Sequence, residues 1–409
     1  MNYDKVLEQI KPSKEEEEDI KALSDYVVQY FETIIKDDVQ IICGGSSAKG
    51  TFLKGDFDVD IFVRYKKTKE NYSNELHKAV KEFCAHQKIN YERVHGSRDY
   101  FKFTYKKISF EIVPVKYVTK VSEVQNVTDM SPMHVQWALS KLNSKLADDI
   151  RLAKRFCKAQ RVYGAESYIN GFSGHVIDIL LINYGSFDKF IKEASNWETK
   201  TIIDVKKIYK DASKELNKSK TQSPLIVVDP IDSNRNASAS LSKEKYLLFI
   251  QKTKDFLKNP SEKYFQIPKY VKPKEKEGQK SFVLDIKPLK GKSDIIGSKI
   301  LKGVNYILKE MKNNQFQITS WDWFFNPDLT HFYFYVKDET LSKTYIRKGP
   351  GIDNKEGVKN FKQKHKTTFE KDGFLYVELE REFRTPKKLL DYLVKQEYFT
   401  SRLDSFNLN

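Results

Sequence analysis

Cysteine is scarce in this chain: three residues in 409, Cys43, Cys84 and Cys157, each alone in an apolar context. No two have metal-ligand spacing, so a zinc site is not expected, and the thiols read as buried and reduced. The opening Met-Asn-Tyr-Asp-Lys is polar and lacks an apolar targeting core, so no signal peptide is expected and the protein reads as cytoplasmic. No apolar run reaches the roughly 20 residues of a membrane span. Internal repeats are absent. Acidic residues are the minority: 56 Asp and Glu stand against 72 Lys and Arg, for a net charge of +16. That balance favours a polyanionic partner.

The chain is rich in aromatics, with 23 Tyr and 27 Phe. Most belong in cores, but rings beside basic residues can stack on unpaired bases. A length of 409 suggests two to four domains.

The densest signal lies between Gly45 and Val63. Val39 to Cys43 reads as a short apolar strand. Gly45-Ser46 follows as a turn whose backbone N–H groups and hydroxyl can hold a triphosphate. After eleven intervening residues comes Asp58-Val59-Asp60. On a strand, residues i and i+2 leave the same face, about 6.6 Å apart at roughly 3.3 Å per residue. Asp58 and Asp60 therefore point together, while Val59, Ile61 and Val63 face a core. Adjacent carboxylates repel unless a cation lies between them, and an oxygen-only donor set suits Mg²⁺. Two such ions can activate an attacking hydroxyl and stabilise a leaving pyrophosphate. Gly-Ser, a spacer and acid-apolar-acid resemble the polymerase-beta-like nucleotidyltransferases.

Ser13-Lys-Glu-Glu16 forms a capping box that opens a helix to about Ile35. Glu75 to Gln87 reads as a second helix. Tyr100–Tyr105 and Ile108–Val115 read as a hairpin turning at Lys106-Lys107, with Ser109, Glu111 and Val113 on one face. Glu111 is then a charged residue inside an apolar strand and the leading third metal ligand. Met130-Ser-Pro132 punctuates the chain before another helix. Asp148 to Gln160 carries Ile150, Ala153, Phe156 and Cys157 on one face and Lys154, Lys158 and Arg161 on another; the basic face reads equally well as solvated helix surface. Asn259-Pro260 opens a Pro- and Lys-rich stretch through Lys280. Beyond it, strand candidates Ser281–Ile286, Phe332–Val336 and Phe374–Leu379 mix with helical stretches 296–312 and 387–398. The expected architecture is a multidomain α+β protein: a small mixed-sheet nucleotidyltransferase catalytic domain (1–144), a mainly helical central domain (145–257) and an α+β C-terminal body and tail (258–409).

A longer ordered set narrows the resemblance. Phe110-Glu-Ile-Val-Pro114, Asp129-Met-Ser-Pro-Met-His134, Val162-Tyr-Gly-Ala-Glu166, Gly171-Phe-Ser-Gly174, Asn183-Tyr-Gly-Ser-Phe187, Val227-Val-Asp-Pro-Ile-Asp232 with Arg235-Asn236, and Arg347-Lys-Gly-Pro350 occur in this order. Together they resemble the archaeal, class I CCA-adding enzymes, the tRNA nucleotidyltransferases. That resemblance implies addition of C, C and A to the tRNA 3′ end from CTP and ATP, with Mg²⁺, two ions being expected. It implies that Asp58, Asp60 and Glu111 hold the metal and carry the catalysis. Gly45, Ser46 and Lys49 match positions that hold the incoming triphosphate, joined by Lys154 and Tyr163 from the central domain. Ser131 and His134 match a hydroxyl–histidine pair near the nucleotide, and Arg235 matches an arginine that reads the base. The basic stretch Lys343 to Pro350, continued by Lys359 to Lys371, is expected to hold the tRNA.

Two departures stand out. Many relatives have Arg where Lys49 stands, so the charge is kept but the fork is lost. Relatives generally have Asp where this chain has Glu111, one methylene longer. Two other readings stay open: a poly(A)-polymerase-like enzyme adding many A residues, and an inactive RNA-binding homologue. Whether the chain forms a homodimer is also open.

Overall fold

Helix starts follow the capping residues. α1 (Asp4–Ile10) is followed by α2 (Lys14–Ile34), which begins at Ser13. The Ser13 hydroxyl accepts the Glu16 N–H at 3.1 Å, and the Glu16 carboxylate accepts the Ser13 N–H at 2.7 Å, so two otherwise unpaired donors are satisfied reciprocally. The computed structural model describes residues 1–337 and 340–409. They divide into two units, Met1–Pro268 and Lys269–Asn409. Among the described residues no helix is long and apolar enough to cross a membrane.

The first unit opens on β1 (Val39–Cys43), the one-turn helix α3 (Gly45–Ala48), β2 (Val59–Tyr65), α4 (Tyr72–Gln87), β3 (Tyr91–Val94), β4 (Tyr100–Tyr105) and β5 (Ile108–Lys116). These strands form one sheet in the order β1-β2-β5-β4-β3. β2 and β5 run parallel; the other neighbours are antiparallel. The two-residue turn between β4 and β5 puts Lys106 (φ 46°) and Lys107 (φ 70°) in the left-handed region, the geometry that matches the twist of a tight hairpin. One sheet face carries Val59, Ile61, Val63, Phe101, Phe103, Phe110 and Ile112, and packs on Val27 and Phe31 of α2 and Leu76, Val80 and Phe83 of α4. Each such side chain contributes about 1.5–3 kcal/mol by leaving water. With that face committed to the helices, the alternate residues Asp60, Lys102 and Glu111 emerge on the opposite one.

The chain continues through α5 (Ser131–Leu139), α6 (Ser144–Ala159), α7 (Gly174–Tyr184), α8 (Phe187–Ala194), β6 (Thr201–Ile203), α9 (Ala212–Glu215), β7 (Leu225–Val227) and α10 (Lys243–Lys258). β6 and β7 form a small parallel pair. The core of this mainly helical body joins Ile150 and Phe156 of α6 with Ile177 and Leu181 of α7, Phe187 and Phe190 of α8, and Phe249 and Phe256 of α10. Ile150, Ala153, Phe156 and Cys157 are buried as the helical periodicity requires. The Pro- and Lys-rich stretch first folds back. Phe265 enters this core, 5.9 Å ring to ring from Phe156 and from Phe256. The first unit therefore continues to Pro268.

The second unit contains β8 (Gln279–Lys287), α11 (Ser293–Asn313), β9 (Ile318–Phe324), β10 (Thr330–Lys337), β11 (Thr344–Gly351), α12 (Lys355–Lys364), β12 (Thr368–Lys371), β13 (Phe374–Glu380), α13 (Pro386–Leu393), α14 (Glu397–Thr400) and β14 (Ser405–Leu408). Its sheets have the orders β14-β8-β10-β9 and β11-β13-β12. Ile300, Val304 and Ile307 of α11 and Leu389, Leu390 and Leu393 of α13 cover Leu284, Phe332 and Phe334. The helical stretch expected over 387–398 is two helices, because Gln396 takes an extended conformation (φ −70°, ψ 140°) between them.

Candidate active site

Asp60 stands opposite Glu111 in the parallel pairing of β2 with β5, and Glu111 stands opposite Lys102 in the antiparallel pairing of β4 with β5. Three neighbouring strands thus contribute one charged row. Asp58 lies two residues before Asp60, just ahead of β2. Lys102 Nζ reaches both flanking acids, 2.9 Å from Asp58 Oδ1 and 3.2 Å from Glu111 Oε1. Burial, then the neighbouring charges of Glu111 and Asp58, push the Asp60 carboxyl up to about 7, against the opposing pull of Lys49 and Lys102. Three carboxylates, with Lys102 bonded to two of them and Lys49 acting on Asp60, still outnumber the lysines and offer oxygen-only donors, a set that suits a hard divalent cation.

The Gly-Ser turn abuts this row. Gly45 sits at φ +59°, and a Cβ there would collide with the Asp60 carboxylate. Only glycine gives both the backbone angle and the close approach. Gly44 N–H donates to the Asp60 carbonyl at 2.8 Å, so turn and strand are locked together. Ser46, within α3, comes along with them.

Lys49 and Lys154 have partners that the sequence does not announce. Lys49 pairs with Asp178 of α7, whose carboxylate is fully buried. Burial favours the neutral acid, but Lys49 and Lys154 outweigh it and hold the Asp178 carboxyl below its usual range. Lys154 is 3% exposed, and its Nζ donates to the Thr51 carbonyl and hydroxyl, both at 3.0 Å. Burial lowers its pKa to about 8. The solvated-surface reading of the α6 basic face is thus wrong for Lys154, which lies under the loop that carries Thr51. Lys158 does reach outward, to Asp56 at 2.5 Å.

A third cluster gathers around Asp229, just after β7. Its buried carboxylate accepts from His134 Nε2 at 2.9 Å and from Arg235 Nη1 at 2.5 Å. His175 Nε2 of α7 lies 3.4 Å from Asp229 Oδ2, an ion-pair distance rather than a hydrogen bond. Burial would raise Asp229, but His134 and His175 hold it well below the usual carboxylate range. Burial also lowers the His134 pKa, the Asp229 bond opposing it only in part. The two imidazoles and the carboxylate offer ligand atoms within 4.8 Å of one another. Arg235 shares the same carboxylate oxygen, so a guanidinium supplies the positive charge there.

Arg235 also lines a cavity of about 760 Å³ with Met130, Gln125, Ser173, Asp232 and Asn234. Ser131 precedes His134 by one helical turn on α5. The Tyr163 hydroxyl lies against the start of α7, where a Cβ on Gly174 would crowd it, and Lys158 sits over the Tyr163 ring at 5.0 Å. The predicted residues therefore fall into an acid row, a lysine seam and an Asp229 cluster. Sequence reasoning missed Lys102, His175 and Asp178. Lys102 was recoverable: counting outward from the Lys106-Lys107 turn pairs it with Glu111.

A family model for "Second Messenger Oligonucleotide or Dinucleotide Synthetase domain" matches residues 1–143, one for "tRNA nucleotidyltransferase, second domain" matches 148–266, and one for "CCA-adding enzyme, C-terminal domain" matches 278–401. The CCA-adding enzyme of Methanocaldococcus jannaschii is 32% identical over 397 residues, covering 92% of this chain and 87% of that enzyme. That of Nanoarchaeum equitans is 32% identical over 385 residues, covering 92% and 93%. Among solved structures, a cytoplasmic RNA terminal U-transferase superposes with a TM-score of 0.51 at 14% identity, over 65% of this chain and 97% of that one. The Cid1 poly(U) polymerase gives 0.52 at 14% identity, over 64% and 97%. At such identity the likeness is one of fold.

Proposed function

The chain belongs to the CCA-adding enzyme family, and we propose that the row formed by Asp58, Asp60 and Glu111 is its reaction centre. It adds C, C and A in turn to the 3′ end of tRNA from CTP and ATP, without a nucleic-acid template. In each step the terminal 3′ oxygen attacks the α-phosphorus of the nucleotide. A P–O bond to the tRNA forms, the bond to the β-phosphate oxygen breaks, and pyrophosphate leaves. Asp58, Asp60 and Glu111 would hold Mg²⁺, two ions in all, which when bound supply Lewis acidity at the attacking and leaving oxygens. Glu111 takes the proton of the attacking hydroxyl.

Gly45 and Ser46 present N–H groups and a hydroxyl to the triphosphate beside Asp60. Lys49, Lys154 and Tyr163 bear on the same phosphates; Thr51 takes two of the three Lys154 donors and leaves one. Ser131, His134 and Arg235 face the nucleoside, Arg235 reading the base. Residues 1–144 act as the catalytic domain, 145–257 as the central nucleotide- and RNA-binding domain and 258–409 as the tRNA-binding body and tail. The place of action is the cytoplasm.

One observation carries this reading: the glycine of the Gly-Ser turn is packed against the middle acid of the row, so the two halves of the nucleotidyltransferase signature are one site. The test is direct. Purified protein, tRNA lacking its last three nucleotides, Mg²⁺ and each labelled nucleotide are combined and the products sized. Growth by three, using CTP and ATP but not GTP or UTP, supports it. Long A tails would indicate a poly(A) polymerase, and no extension an inactive RNA-binding homologue.

A further inference from the structure

We propose that Asp229 is a positioning residue that sets nucleotide choice, by holding Arg235 and His134 in one rigid frame; this rests on the reading of Arg235 as the base reader.

Asp229 is itself anchored. Its Oδ1 accepts the N–H groups of Ile231 at 2.8 Å and Asp232 at 3.2 Å, so the carboxylate is fixed to its own turn. The same turn is closed through the backbone: Asp229 N–H donates to the Arg235 carbonyl at 3.0 Å, and Arg235 N–H to the Asp232 carbonyl at 2.9 Å. Beneath it, buried Asn236 accepts the Val227 N–H at 3.0 Å and donates to Ser223 Oγ at 2.7 Å. Arg235 is therefore tied to Asp229 at both ends, main chain and guanidinium. The Asp229 carboxylate is fully buried, whereas the Arg235 side chain is 33% exposed at the cavity. The acid lies behind the arginine, and the cavity lies in front.

Fixing the guanidinium matters because of what it can recognise. It is a donor only. Cytosine and adenine each offer a ring-nitrogen acceptor beside an exocyclic amine. Uracil and guanine present a ring N–H at the equivalent place, so a fixed guanidinium meets donor with donor. A guanidinium free to swing could instead find the neighbouring carbonyl of uracil or guanine, and the distinction would be lost. Asp229 removes that freedom. A site built around fixed hydrogen-bonding groups rejects a mismatched partner far better than one that adapts. His134, bonded to the same carboxylate, places α5 and its Ser131 in register with the arginine.

The test uses the full chain and tRNA substrates lacking three nucleotides or one. kcat and KM are measured for CTP, ATP, UTP and GTP with wild type, Asp229→Asn, Arg235→Ala and the double variant. Asp229→Asn should lower discrimination against UTP and GTP by roughly tenfold to a hundredfold, with tRNA affinity unchanged. The double variant should discriminate no worse than Arg235→Ala, because the acid acts through the arginine. Intact discrimination in Asp229→Asn, or losses that multiply in the double variant, would overturn the proposal while leaving Arg235 as base reader. Intact discrimination in Arg235→Ala would remove the base-reading role and this inference with it. Should Asp229→Asn not fold, Asp229→Glu keeps the charge but moves it by a methylene. Loosened discrimination is then expected, and unchanged discrimination counts against the proposal.

Discussion

Glu111 lies directly across from Asp60 on the neighbouring parallel strand, so the third acid approaches the other two along the hydrogen-bonding direction of the sheet. Strands are about 4.8 Å apart in that direction. The extra methylene of a glutamate must be accommodated within this spacing, and Lys102, bonded to Glu111 Oε1 at 3.2 Å, restrains where the longer arm ends.

Glu111→Ala should remove both C and A addition, by at least about a hundredfold given the sensitivity of such sites to displacements near 1 Å. Its affinity for tRNA should stay near wild type. Glu111→Asp should remain active. Single-turnover rates and filter binding check both. Near-normal addition by Glu111→Ala would remove the third acid from the mechanism.

Lys102 shares the field of the acid row. Lys102→Met should lower the Mg²⁺ concentration needed for half-maximal rate several-fold, because the carboxylates lose a competing cation. Without added Mg²⁺ the same variant should melt about 2–4 °C lower, since the acids then repel each other with less relief. Rates across Mg²⁺ concentrations measure the first effect, and calorimetry with and without Mg²⁺ the second. An unaltered Mg²⁺ requirement would mean that Lys102 does not bear on metal binding.

The Lys49–Asp178 pair is fully buried at the acid, while the lysine side chain keeps 11% exposure. Asp178→Ala should cost about 3–5 kcal/mol of stability by stranding a lysine. The paired change Lys49→Met with Asp178→Leu should recover much of it. Urea unfolding reads both. Equal losses in single and paired variants would show that packing, not the ion pair, sets the cost.

A fragment of residues 1–268 should fold, because the cut follows Phe265 rather than severing it from its core. It should bind tRNA more weakly than the whole chain and with a flatter salt dependence, since log affinity falls by roughly 0.7–0.9 per phosphate contact. Titrations across salt concentrations test this. An unchanged slope would move the RNA contacts into the first unit.

The parts of the fold legible in the sequence are those set by local rules. The Ser13 capping box, the Val39–Cys43 strand and the Lys106-Lys107 hairpin turn are all as their residues dictate. That Asp58 and Asp60 share a face follows from alternation along a strand; that Glu111 stands across from Asp60 comes from the parallel pairing of β2 with β5, which alternation alone does not give. Lys154 was not legible, since a basic helix face looks the same whether it meets water or another layer; only the Thr51 loop laid against it decides. His175 and Asp178 carry no signal at all. Their meaning comes from residues more than fifty positions away, Asp229 and Lys49.

Helix α7 carries His175 and Asp178 three positions apart, one turned to the Asp229 cluster and the other to Lys49. A rigid rod that touches both ends of a site makes their separation a single variable. Any packing change that slides or rotates α7 would shift the Lys49 pair and the Asp229 cluster together, and with them the phosphate and base contacts proposed for each. Variants in its apolar side, at Ile177 or Leu181, would then resemble active-site mutants in every kinetic parameter although both residues are fully buried in the helical core.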